Sequence, residues 1–131
     1  MTEEAQPKEK PRTKDTQTRD RPDIPRNVEP YYIAFLLKGE RWNDTQGAEV
    51  ADLVPRQLAF IREQVEAGRY LLTGPITDDG PLVGMSIIAA VNAAEALAIA
   101  SADPGVQAGR LKVEVHPAFL PSLKELKINY S

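Results

Sequence analysis

The sequence predicts an α+β domain of order βαββαβ, and three observations predict it. Two short segments, 31–37 and 83–91, are apolar at consecutive positions, so each reads as a strand buried on both faces. Two amphipathic stretches carry helix-end signals, Gly68 after the first and Asn92 before the second. Between them, Asp78-Asp79-Gly80-Pro81 supplies turn chemistry with no helix nearby, which puts a hairpin at the centre of the order.

The first strand, Tyr31-Tyr32-Ile33-Ala34-Phe35-Leu36-Leu37, is closed by Lys38-Gly39. Leu53, Val54, Leu58, Ile61 and Val65 then recur at three or four residues. Pro55 suits a first helical turn and Gly68 suits the C′ position, so a helix is expected over about 54–67. Residues 69–76 form the second strand. The third puts Met85, Ile87 and Ala89 on one face and Ser86, Ile88 and Ala90 on the other, and is again apolar on both. Asn92 with Glu95 three residues on makes an N-cap and capping box, and Ala96, Leu97, Ile99 and Ala100 carry that helix to Asp103. Asp103-Pro104 can start one further turn, which Gly109 ends. Leu111-Lys112-Val113-Glu114-Val115 alternates cleanly as the fourth strand. Two helices on one face of a four-stranded antiparallel sheet make a ferredoxin-like layer pair. The other face is left with large apolar side chains, and a second copy of the sheet is the economical cover, so a homodimer is expected.

At 131 residues, 42% hydrophobic and 27% charged, the chain holds one domain with an ordinary core. Residues 1–29 carry seven Lys or Arg against seven Asp or Glu, four prolines and little aliphatic content. Such a segment cannot bury enough apolar surface to offset ordering it, so it reads as a disordered tail, either a solvated leader or a partner-binding arm. The domain follows at 30–119. Residues 120–131, with Leu123, Leu126 and Ile128, form a C-terminal arm expected on the partner or on the domain's own helices. Removing the tail from the totals of 16 and 19 leaves nine cationic and twelve anionic residues, so the domain carries the whole net charge of −3. That balance argues against nucleic acid. No run of about eighteen apolar residues and no apolar leader exist, which argues against a membrane and makes the cytoplasm the expected location. Without cysteine there are no disulfides, thiolate nucleophiles or cysteine metal sites.

Few residues can carry chemistry. His116, the single histidine, is expected at the end of the fourth strand before Pro117, where nothing in the sequence supplies a partner to set its tautomer. No metal or other cofactor is expected, since no ligand spacing occurs and Asp78-Asp79 is explained by its turn. Gln57 flanks the buried helical stripe beside Leu53 and Phe60, so it should be partly buried. Arg56 either clamps a carboxylate or phenolate ligand or is a solvated helix-face charge. Asp103 either serves a site or caps the turn that Pro104 begins. Gly74 before Pro75 lets backbone pass close to a ligand or a helix.

The succession Pro55-x-Gln57-Leu58, Gly68-Arg69-Tyr70-Leu71-Leu72-Thr73-Gly74-Pro75, Asp103-Pro104 and Gly109 before the last strand resembles the YCII-related family of the dimeric α+β barrel superfamily, over residues 31–119. The resemblance implies a dimer in which two sheets pack as a barrel, and a cavity in each protomer. It also implies a pair in that cavity, a histidine at the position of Gln57 and a nearby acid, best matched by Asp103. Here Gln57 replaces the histidine. An amide holds a ligand but exchanges no proton near neutral pH. The expectation is therefore a homodimeric small-molecule-binding protein without His-based catalysis, using Arg56, Gln57, Gly74 and Asp103. Two alternatives stay open. One is a lyase, isomerase or dehydrochlorinase-like enzyme that acts on a small ring compound through catalytic Asp103 and water, as relatives acting on chlorinated hydroquinones imply. The other is a non-catalytic dimerisation or interaction module.

Overall fold

The structure, a computed structural model, describes residues 23–24 and 27–124. The elements are β1 (Val28–Lys38), α1 (Ala48–Glu66), β2 (Tyr70–Pro75), β3 (Leu82–Ile88), α2 (Ala93–Ser101), α3 (Pro104–Gln107) and β4 (Leu111–Pro121). The strands form one antiparallel sheet in the order β2-β3-β1-β4. This is the ferredoxin-like arrangement expected, with the two central strands being those that are apolar on both faces. The first 22 residues of the tail, Pro25, Arg26 and residues 125–131 of the C-terminal arm lie outside the described residues.

Four element bounds differ from expectation by three residues or more, and one of them is the end of β3, at Ile88 and not at residue 91. β1 starts at Val28 and not Tyr31, because Val28, Glu29 and Pro30 continue the ladder opposite Pro121, Leu120 and Phe119. β4 correspondingly runs to Pro121, through Pro117. As an edge strand, β4 tolerates prolines whose missing N–H would otherwise break a ladder. His116 is therefore inside the strand, opposite Ile33, and not at its end. α1 starts at Ala48, six residues before the expected start, with Pro55 in its interior. The proline removes the hydrogen bond to the Ala51 carbonyl, but both residues are exposed and water can take that carbonyl. The early turn is held by the Ala51 N–H on the Gly47 carbonyl at 3.0 Å and by an Arg41–Glu49 ion pair at 3.3 Å.

The helix ends follow from their cap residues. Gly68 adopts φ 77°, its N–H donates to Val65 O, and Arg69 N–H donates to Gln64 O, which closes α1 in a Schellman motif. The same closure ends α3, with Gly109 at φ 79° and Arg110 N–H on Gly105 O. Asn92 Oδ1 accepts from Glu95 N–H at 2.8 Å at the start of α2, while the Glu95 carboxylate reaches back to Val91 N–H at 2.7 Å, one residue before the cap.

The core lies between the helices and one sheet face. Tyr32, Ala34, Tyr70, Ile88 and Val115 from the sheet meet Ala93, Ala96 and Ala100 of α2, whose small side chains let that helix sit close. Ile88 is fully buried at the centre, a burial that contributes on the order of 1.5–3 kcal/mol. α1 presents Leu53, Phe60, Ile61, Gln64 and Val65 to this layer. Val54 and Leu58, expected in the buried stripe, are instead 39% and 57% exposed. The helix is rolled so that the row Leu53, Gln57, Phe60/Ile61 and Gln64 faces the sheet. Ile33, Phe35, Leu72, Met85 and Ile87 occupy the opposite face, since they alternate with the core residues and pair with one another across the strands.

Candidate functional site

A cavity of about 540 Å³ opens between the middle of α1 and the β2–β3 hairpin, a size ordinary for small-ligand sites. Leu58 and Ile61 form its helical wall, and Leu36, Pro75 and Gly84 line the sheet side. Gln57 and Arg62 of α1 and Thr73 of β2 supply its side-chain polar groups. The rolled α1 explains why Leu58 is exposed: it stands over the mouth of this cavity.

Gln57 connects the cavity to a buried carboxylate. Its Nε2 donates to Asp103 Oδ2 at 3.2 Å, 46 residues away in sequence. Asp103 Oδ1 accepts the Gly105 N–H at 2.7 Å, so Asp103 is the N-cap of α3 as well as the partner of Gln57. Only 1% of Asp103 is exposed, and it does not itself line the cavity. Burial pushes its carboxyl above the ordinary carboxylate range, while hydrogen bonds from Gly105 N–H, the Gln57 amide and Val106 N–H pull it down. Tyr70 packs edge-on to Phe60 with ring centroids 6.1 Å apart. Burial, and then the nearby Asp103 charge, raise its phenol.

The other residues singled out in the sequence fall as follows. Arg56 is on the exposed side of α1, ion-paired to Asp52 at 3.4 Å, and does not line the cavity. The guanidinium at the cavity is Arg62, four residues after Leu58 and hence on the same helix flank. That spacing was its only sequence signal. Gly74 lines the cavity, yet an added Cβ there would meet nothing within 4 Å. The close backbone approach is instead at Gly84, where a Cβ would sit 3.2 Å from the Gly74 carbonyl oxygen. Thr73 Oγ1 is 2.8 Å from Ser86 Oγ, so the hydroxyl at the back of the cavity is already engaged. His116 is on the opposite sheet face, exposed, edge-on to Phe35 at 5.9 Å and 3.4 Å from Glu114 Oε1. Among the described residues no group of three His, Asp or Glu side chains converges on a possible metal position. No helix among them is long and apolar enough to cross a membrane.

This geometry puts an apolar cleft with an amide at its wall in front of a buried acid, carried by the α1, hairpin and Asp103-Pro104 segments. No curated protein matches the chain. The family model described as YCII-related domain matches residues 35–118, about two thirds of the chain and all three of those segments. The chain therefore belongs to the YCII-related family.

Proposed function

We propose that the protein is a homodimer that binds a small, anionic or aromatic molecule in the cavity between α1 and the β2–β3 hairpin, without histidine-based acid–base catalysis. The observation that carries this reading is the Gln57–Asp103 hydrogen bond. At the cavity wall it puts an amide, which orients a ligand, where a proton-transferring imidazole would have to stand. Dimerisation is supported by the apolar sheet face on which Ile33, Phe35, Leu72 and Met85 are only partly buried, and which a second copy would cover.

A second reading is favoured by one observation, the raised pKa of Asp103, which suits a general acid working through an ordered water. The two are separated by assaying chlorinated hydroquinones and enol lactones with wild type, Gln57→Ala, Gln57→His and Asp103→Asn. The binder gives no turnover in wild type and at most weak turnover in Gln57→His, which folds normally. Wild-type turnover that survives Gln57→Ala and is lost in Asp103→Asn overturns the binder and establishes the water-assisted enzyme.

A further inference from the structure

We infer that the cavity selects a small hydroxylated organic acid, with Arg62 taking the anionic end and the Gln57 side-chain carbonyl accepting from the hydroxyl. The inference rests on the reading that this cavity binds a small molecule, and it names the chemical class.

The charge requirement comes from Arg62. It is exposed, it lines the cavity, and among the described residues it has no ion-pair or hydrogen-bond partner. The other described arginines are engaged: Arg41 with Glu49, Arg56 with Asp52, Arg69 with Gln64, and Arg110 with the Thr45 carbonyl and the Trp42 ring. No described acidic residue lines the cavity to neutralise Arg62. A guanidinium so placed matches a carboxylate in a two-pronged hydrogen bond.

The donor requirement comes from Gln57. Both Asp103 oxygens are accepting, one from Gly105 N–H and one from the Gln57 amide nitrogen, which fixes which way round the amide stands. Its carbonyl oxygen is left without a partner among the described residues, at a residue that lines the cavity. A ligand group there must donate. Thr73 sets no such demand, being bonded to Ser86. Gln57 and Arg62 are five residues apart on α1, about 7.5 Å along its axis from the rise per residue. Leu58 and Ile61 lie between them. A compact apolar body with a hydroxyl at one end and a carboxylate at the other spans that wall.

The test titrates 4-hydroxybenzoate, benzoate and neutral 4-hydroxybenzyl alcohol into the ¹⁵N-labelled full chain and follows the backbone amides of Gly74 and Gly84. The expected order puts 4-hydroxybenzoate about fivefold tighter than either of the others, the scale of one exposed ion pair or one hydrogen bond. Arg62→Gln removes the preference over the alcohol and Gln57→Leu removes the preference over benzoate; Arg62→Lys restores part of the first. Shifts at both glycines with equal affinity for all three probes, or preferences unchanged in Arg62→Gln and Gln57→Leu, overturn the inference while leaving a small-molecule site. No shift at either glycine with any probe overturns both.

Discussion

Replacing Gln57 with leucine tests whether the Asp103 carboxylate depends on the amide before it. Leucine keeps the size and helix propensity of glutamine and removes the donor. Asp103 Oδ2 then loses its 3.2 Å partner while only 1% of the residue is exposed. Removing a partner of a buried charged acceptor costs about 1.5–3 kcal/mol. Asp103 keeps the Gly105 N–H at 2.7 Å, and water can approach Gln57 from the cavity. The expected loss is therefore toward the lower end, about 1–2 kcal/mol, or a Tm lower by about 5–10 °C for a domain of this size. The loss must depend on pH. In the folded chain Asp103 holds its proton more tightly than in the unfolded chain, so its contribution favours folding at low pH and is lost as pH rises from about 4 through the raised folded value. The Gln57 bond lowers that folded value, and leucine raises it further. The penalty of Gln57→Leu is thus largest at the alkaline end of the range and shrinks as the pH falls and Asp103 takes up its proton. Urea unfolding followed by circular dichroism, at fixed protein concentration from pH 4 to 8, measures it. A loss of equal size at both ends of the range, or none at pH 8, refutes a carboxylate supported by Gln57. Asp103→Asn is the companion variant. Its amide still caps α3 and can bond a reversed Gln57, so its stability should be flatter across this range than that of wild type.

Two further perturbations test the outer sheet face and the chain ends. Light scattering at low micromolar concentration should give about twice the 14.4 kDa chain mass, and Phe35→Asp, which puts a charge in the centre of the outer face, should shift it towards monomer; a monomeric wild type removes the two-sheet dimer. Removing residues 1–22 should leave Tm unchanged within about two degrees, since their composition offers little apolar area, whereas removal through Glu29 should lower it by about 5 °C or more, because buried Val28 and its pairing with Pro121 are lost. Equal melting of the two truncated chains would show that the first two residues of β1 contribute nothing.

The strands, helices and their order were legible in the sequence because each rests on short-range chemistry. Gly68 and Gly109 end helices through a left-handed conformation that favours glycine, and Asn92 and Asp103 begin them by accepting backbone N–H groups within three residues. The doubly apolar segments identified the central strands for an equally local reason. Local rules failed where a distant partner decided the outcome. Pro55 looked like a helix start, but α1 begins a full seven residues earlier, where Arg41 of the β1–α1 loop pairs with Glu49 in the first turn. Pro117 looked like a strand end, yet the ladder with β1 carries β4 past it. The same division holds at the site. Gln57 and Asp103 could each be singled out by position, whereas their hydrogen bond joins residues 46 apart and exists only because α3 packs against α1. Choosing between Arg56 and Arg62 required the roll of α1 about its axis. That roll is set by which ridge of side chains fits the sheet, and apolar periodicity alone left two adjacent ridges, through Val54 and Leu58 or through Leu53 and Gln57, of nearly equal appearance.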